Sequence, residues 1–126
     1  MPFVTLTLHE SVSAPTRRQW LDAVHDALRS VGVPADDRFQ RVIALDDSSF
    51  VFDAGYPDAA RPRDRRFVIV EVLWSLGRSV KVKRQFLQHL TTAWTEAGHD
   101  PEQLMLVFKE TAWENWSFAG GRLLHA

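Results

Sequence analysis

The sequence contains no cysteine among its 126 residues. This absence excludes disulfide bonds, thiolate zinc sites, iron–sulfur ligation and cysteine nucleophiles. The chain also has no apolar run near the roughly 20 residues that a membrane-spanning helix needs. Its first residues, Met1 to Val4, lack the basic and apolar regions of a signal peptide. We therefore expect a cytoplasmic protein with no membrane partner, whose chemistry needs no sulfur.

An excess of charge of one sign is also lacking. The chain has 15 Lys and Arg residues against 16 Asp and Glu residues, so its net charge is −1. No sequence-wide basic field is present to attract nucleic acid, and we expect no nucleic-acid partner. With 45% apolar and 25% charged residues, the composition is typical of a globular protein. The length fits a single domain over residues 1–126.

The predicted elements follow the order strand, helix, strand, loop, strand, helix, strand. Alternation of Val4, Leu6 and Leu8 indicates a strand over residues 3–9. Apolar residues three and four apart between Trp20 and Val31 indicate an amphipathic helix. The other predicted elements are strands at 39–45, 67–74 and 104–108, a second helix after a Ser79 cap, and a possible short strand at 49–52. The apolar residues of 67–74 are nearly continuous, which is typical of a strand covered on both faces.

The two halves of the chain resemble each other. Arg17-Arg18-Gln19 in the first helix corresponds to Lys83-Arg84-Gln85 in the second. We predict an α+β fold of duplicated β-α-β units, at about 2–46 and 66–110, joined by a linker at 47–65. The units form a four-stranded mixed sheet with two helices on one face, followed by a C-terminal β-hairpin. Since such a small sheet leaves one face open, we expect self-association.

Pro2 directly follows the initiator methionine. Removal of Met1 would leave a secondary amine at the start of a strand, and such an amine acts as general base, general acid or nucleophile according to its surroundings. Most chains that begin Met-Pro use the proline for no chemistry, so this residue alone decides nothing. If Met1 is retained, the Pro2 nitrogen is an amide and has no basic lone pair.

Several separated motifs resemble the tautomerase superfamily, most closely the branch that contains malonate semialdehyde decarboxylase. They are Met1-Pro2 opening a strand, Val33-Pro34-Ala35-Asp36-Asp37-Arg38-Phe39-Gln40 at the second strand, Gly77-Arg78-Ser79 before the second helix, and Glu114-Asn115-Trp116-Ser117-Phe118 near the end. The resemblance covers nearly the whole chain. It implies a tautomerase fold, a homotrimer, a small carboxylate substrate and no cofactor.

The resemblance also implies roles for individual residues. Pro2 would be the catalytic amine, Asp37 its partner and Arg78 the group that binds the substrate carboxylate. The apolar wall of the pocket would come from Phe39, Trp116 and Phe118. Plainer interpretations stay open, because Asp37 suits a turn cap, Arg78 a solvated charge and the two aromatic residues ordinary interface packing.

One departure concerns the arginines. The decarboxylase has two of them close together before the second helix, and here Ser75 or Leu76 stands in place of the first. Replacement cations are available, namely Arg63, Arg65, Arg66, Lys109 and Arg122. The loss favours keto–enol tautomerisation of a small 2-oxo acid over decarboxylation of a 3-oxo acid such as malonate semialdehyde. A non-catalytic member that keeps the fold and the trimer is a further alternative.

Other polar residues are interpreted as structural. His25 lies at the flank of the first helix's apolar stripe, which is more typical of a satisfied histidine than of a base. The five histidines show no metal-ligand spacing, and Asp46-Asp47 is more typical of a turn than of a ligand pair. We therefore predict no metal site.

Overall fold

The computed structural model describes residues 1–125. Its main elements are strands β1 (Phe3–His9), β2 (Gln40–Leu45), β3 (Val68–Ser75) and β4 (Leu104–Thr111), and helices α1 (Ala14–Ser30) and α2 (Val80–Glu96). Short 3-10 helices cover Pro101–Gln103 and Trp113–Asn115. No helix within these residues combines the length and apolar character needed to cross a membrane.

The four strands form one mixed sheet in the order β2-β1-β3-β4. The outer pairs, β1 with β2 and β3 with β4, are parallel, and the central pair β1 with β3 is antiparallel. Each parallel pair is joined through one helix, and both helices contain 17 residues. The predicted α+β fold of two β-α-β units with a four-stranded mixed sheet is therefore confirmed.

Both helices begin where the sequence predicts. The Ser13 and Ser79 side chains accept hydrogen bonds from the backbone N–H groups of Thr16 and Val82, so each serine caps a first turn. The apolar stripes of the helices then pack on the sheet, where Trp20 stacks on Trp94 with ring centroids 5.1 Å apart. This core fixes the sheet on which the candidate site is built.

The opposite sheet face has no helix over it in the single chain. Along β3, residues on the helix side are buried, whereas Ile69, Glu71 and Leu73 are only partly buried. The prediction of a strand covered on both faces is therefore not met within one chain. On the same open face Ile43 and Met105 are 38% and 43% exposed.

Two local predictions are wrong. Residues 49–52 form no strand; there the Phe50 and Phe52 rings pack on Phe67. The C-terminal β-hairpin is also absent from the described residues, although Gly120 and Gly121 both adopt the positive φ of a tight turn. A lone two-stranded hairpin is marginally stable, and the arm after this turn is exposed, so no packing holds it against the first arm.

Candidate active site

The predicted site residues come from the strand ends at one edge of the sheet. Phe3 is opposite Leu73 in the antiparallel pair, and Val4 is aligned with Gln40 in the parallel pair. The amino ends of β1 and β2 therefore meet the carboxyl end of β3. At the carboxyl end of β4, Glu110 is aligned with Trp74 at the same edge.

Asp37 lies next to the chain's amino terminus. The terminal nitrogen of Met1 is 3.3 Å from Oδ2 of Asp37, and the two side chains are only 13% and 16% exposed. A turn places the carboxylate, since the Asp37 N–H donates to the Pro34 carbonyl at 3.1 Å. Pro2 itself is buried, and in this chain its nitrogen is an amide. The structure thus brings the first two residues and Asp37 together.

Arg78 lies between the end of β3 and the cap of α2. Gly77 reaches φ +110°, a backbone conformation that suits glycine, and this bend brings Arg78 back over the sheet edge. Its Nη1 donates to the Ser75 carbonyl. Its guanidinium carbon lies 4.8 Å from the ring centre of Trp74 and 5.7 Å from that of Trp113. The interpretation of Arg78 as a freely solvated charge is therefore wrong.

The charges around Arg78 connect it to Asp37. Burial lowers the pKa of Arg78, and the negative charges of Glu110 and Asp37 oppose this shift. The guanidinium is therefore partly removed from water and lies within electrostatic reach of the carboxylate beside the terminal amine. Partial burial strengthens its attraction for an incoming anion, because solvent screening is reduced there.

Three aromatic residues form a continuous surface near the start of β2. The rings of Phe39 and Phe118 are 5.7 Å apart, and those of Phe118 and Trp116 are 5.8 Å apart and nearly parallel. Phe39 is 50% exposed and Phe118 38% exposed. The backbone connects this surface to the terminal residues, since the Val4 N–H donates to the Phe39 carbonyl at 2.9 Å. Phe39, Trp116 and Phe118 thus pack together into one apolar surface.

Ser75 and Leu76, either of which stands in place of the first arginine, differ in exposure. Ser75 is fully buried, and Leu76 is 48% exposed. Among the proposed replacements, Arg65 pairs with Asp47, Lys109 pairs with Glu71, and Arg63 donates to the Asp53 carbonyl. Arg122 lines a small cavity of about 70 Å³ with Phe118, Ala119 and Leu124. Arg66 is exposed, and Arg122 shares its cavity with Phe118 of the aromatic surface.

Sequence reasoning missed four residues around Arg78. Trp74 and Trp113 lie under its guanidinium, Glu110 supplies a negative charge, and Lys83 pairs with Glu110 at 2.6 Å. In the sequence, Lys83 stands out only as part of the repeated Lys83-Arg84-Gln85 segment. The predicted parallel pairing of β3 and β4 could have indicated Trp74 and Glu110, because parallel strands end at the same edge of the sheet.

The residues interpreted as structural have structural partners. His25 is buried, and its Nε2 lies 2.9 Å from the Ala35 carbonyl. Asp46 accepts hydrogen bonds from the backbone and side chain of Ser48, as expected for a turn. Within residues 1–125 no group of three metal-binding side chains comes together.

Comparison with known proteins agrees with this arrangement. A family model described as tautomerase enzyme matches residues 37–119. The probable tautomerase YusQ of Bacillus subtilis (strain 168) is 23% identical over 124 residues, covering 97% of this chain and 96% of YusQ.

Solved structures give the same result. A malonate semialdehyde decarboxylase inhibited by 3-bromopropiolate is 30% identical, with a TM-score of 0.86 and coverage of 96% of this chain and 92% of that one. A second malonate semialdehyde decarboxylase, described with decarboxylase and hydratase activities, is 28% identical, with the same TM-score and coverage of 96% and 93%. The chain therefore belongs to the tautomerase family, and it is an enzyme of the superfamily whose members are isomerases or decarboxylases.

Proposed function

We propose that this enzyme is a cofactor-independent keto–enol tautomerase of a small 2-oxo acid. Pro2 would supply the catalytic amine once Met1 is removed, and Arg78 would hold the substrate carboxylate. The observation that carries the proposal is the 3.3 Å contact of the Met1 amine, one residue before Pro2, with Asp37, while Arg78 is in electrostatic reach of the same carboxylate. A base and an anion anchor at one sheet edge suit proton transfer on a carboxylate substrate.

Pro2 would move the proton. As a neutral amine it takes a proton from the carbon next to the carbonyl and returns it to the oxygen of the resulting enolate; the reverse direction uses the same steps. Two features would shift the protonation equilibrium of this amine in opposite directions. Burial of Pro2 favours the neutral form, and the nearby Asp37 carboxylate favours the protonated form. A proton shuttle needs both forms of the amine.

Arg78 would bind a carboxylate that stays intact during the reaction. An arginine fork presents paired N–H donors that match the two oxygens of a carboxylate. In tautomerisation this charge is unchanged between substrate and product, so a single anchor serves every step. One arginine at this position, with Leu76 or Ser75 in place of the other, is therefore sufficient for the proposed chemistry.

The aromatic surface of Phe39, Trp116 and Phe118 would cover the reacting carbon. Apolar rings exclude water and lower the local dielectric, which strengthens the effect of both charged groups on the enolate. Trp113, which is 40% exposed, lies beside Arg78 and would give the anchor an apolar neighbour of its own.

A second candidate is decarboxylation of a 3-oxo acid. The 3.3 Å contact between the Met1 nitrogen and Asp37 supports it, because the same carboxylate would stabilise a positive charge on the Pro2 amine, the next residue along the chain. A protonated Pro2 would polarise the 3-oxo group while carbon dioxide leaves. Two relatives with 30% and 28% identity are malonate semialdehyde decarboxylases.

The proposed assembly is a homotrimer. The open face of the sheet carries the partly exposed apolar residues Ile43, Ile69, Leu73 and Met105, which gain by being buried against other copies. Fused 4-OT proteins with the same fold form trimers, which is the basis for the number three.

The test uses protein lacking Met1, checked by intact mass, with phenylpyruvate enol and malonate semialdehyde as alternative substrates. Ketonisation of the enol, lost in Pro2→Ala, supports the tautomerase. Release of carbon dioxide without ketonisation, also lost in Pro2→Ala, selects the decarboxylase. Turnover that persists unchanged in Pro2→Ala overturns both, because each assigns the chemistry to this amine.

A further inference from the structure

Lys83 and Glu110 form an ion pair beside Arg78. The Lys83 Nζ is 2.6 Å from Oε1 of Glu110, and the two side chains are 28% and 27% exposed. Lys83 lies in the first turns of α2, whereas Glu110 is near the end of β4 and aligned with Trp74. The Arg78 guanidinium lies over the ring of the same Trp74. The pair is therefore next to the proposed anchor without being part of it.

Glu110 is a rival for Arg78, because it is aligned with Trp74, the residue whose ring the guanidinium contacts. Among the negative charges that act on Arg78, that of Glu110 has a larger effect than that of Asp37. Even so, Arg78 takes part in none of the ion pairs formed within residues 1–125. A glutamate carboxylate and a substrate carboxylate have the same chemistry, so an unpaired Glu110 would compete directly for the guanidinium.

Glu110 and a substrate would compete for the same donors of Arg78. One N–H of its Nη1 donates to the Ser75 carbonyl, and the guanidinium lies over indole rings. An arginine has five N–H donors, all in the plane of the guanidinium. The donors not used by Ser75 are therefore the ones that either Glu110 or a substrate would take.

We propose that Lys83 is a positioning residue that keeps Glu110 away from Arg78 and so leaves the guanidinium free for the substrate carboxylate. This inference rests on the proposed function of Arg78. It explains how a single arginine serves as an anchor while a glutamate lies within its electrostatic reach. Lys83 acts through Glu110, so its effect disappears when Glu110 carries no charge.

The test is a double-mutant cycle of Lys83→Met, Glu110→Gln and the double variant. Lys83→Met frees Glu110 and should raise KM for a carboxylate substrate roughly fivefold, with kcat little changed, as expected for a partly exposed ion pair. The double variant should return KM to within about twofold of Glu110→Gln, because additivity fails for residues in direct contact. The matched control is Lys81→Met, which removes the same charge from the exposed side of the same helix.

Binding of benzoate, a carboxylate that cannot react, is measured on the same proteins by calorimetry. An unchanged KM and an unchanged benzoate Kd in Lys83→Met overturn the inference while the proposed function stands. Weaker benzoate binding in Lys83→Met, rescued in the double variant, supports the inference even if the wild type turns over neither substrate. An equal loss in Lys81→Met, or failure of the double variant to recover, also overturns it.

Discussion

The terminal nitrogen of Met1 lies 3.3 Å from the Asp37 carboxylate, and both groups are largely shielded from solvent. Removal of Met1 would place the Pro2 amine at the start of the same strand, one residue further along. Asp37 is therefore the carboxylate that lies beside a terminal amine at this sheet edge. The two candidate reactions require opposite protonation states, so this relationship separates them.

The substitution Asp37→Asn should move the two reactions in opposite directions. Without the carboxylate, Pro2 loses its proton more readily, so the acid limb of the tautomerase pH–rate profile should shift to lower pH. Decarboxylation depends on the protonated amine and should fall by roughly 10²-fold at neutral pH.

Asp36→Asn is the matched control, since Asp36 is the exposed neighbour in the same turn. If Asp37→Asn and Asp36→Asn have the same pH–rate profile, Asp37 does not act on the amine.

Replacing Arg78 should weaken substrate binding more than it weakens the fold. Loss of a charge-assisted hydrogen-bonding group should raise KM for a 2-oxo acid by about ten- to a hundredfold in Arg78→Ala. The free energy of unfolding should fall by only about 0.5–2 kcal/mol, the range for a cation–π contact that is partly removed from water. Arg78→Lys should be intermediate in KM, because it keeps the charge without the planar fork.

Steady-state kinetics and urea denaturation provide these two quantities, with the exposed Arg84→Ala on α2 as control. An unchanged KM in Arg78→Ala would show that another cation binds the carboxylate.

The open sheet face should be the oligomer interface. Ile43→Asp puts a charge among the apolar residues of this face, and burying an unpaired charge is strongly unfavourable. Sedimentation equilibrium at micromolar concentration should give a trimer for the wild type and a monomer for the variant. Val51→Asp, at an 88% exposed loop position, should remain trimeric. A monomeric wild type would rule out the assembly.

The ion pair between Arg61, in the loop before β3, and Asp100, shortly before β4, should make the free energy of unfolding fall in acid. Arg61 beside Asp100 holds the pKa of that carboxyl below its ordinary value of 3.8. A depressed pKa means that the folded state favours the carboxylate, so this contribution is complete above the ordinary pKa and is lost as the pH falls below it.

Urea midpoints at about pH 6 and about pH 2.5 should therefore differ more in the wild type than in Asp100→Asn. Asp58→Asn removes a carboxylate from an exposed position in the loop and serves as control. The same acid sensitivity in Asp100→Asn and the wild type would assign the effect to other carboxyl groups.

The sequence was most informative where a local pattern determines the structure. The apolar spacing and the serine caps predicted both helices, and alternation predicted β1 within its observed bounds. The surroundings of Arg78 were not predictable in this way. The sheet register aligns Trp74 with Glu110, and Trp113 comes from the 3-10 helix that follows β4.

The C-terminal segment shows the opposite case, where a correct local signal was over-interpreted. Two glycines at 120 and 121 do form a turn, but a turn does not create a hairpin without packing for both arms. The continuous apolar run of β3 likewise predicted two covered faces, although the single chain covers only one. The uncovered face of β3 is the one that the proposed trimer would bury.

The central claim is that the free Pro2 amine performs the chemistry, and Met1 processing tests it most directly. Two preparations are compared, one lacking Met1 and one retaining it quantitatively, each verified by intact mass and assayed with phenylpyruvate enol. The account predicts that kcat/KM of the Met1-retaining protein is lower by roughly 10²-fold or more, because an amide nitrogen neither accepts the proton nor carries positive charge. Equal turnover by the two preparations would contradict the account.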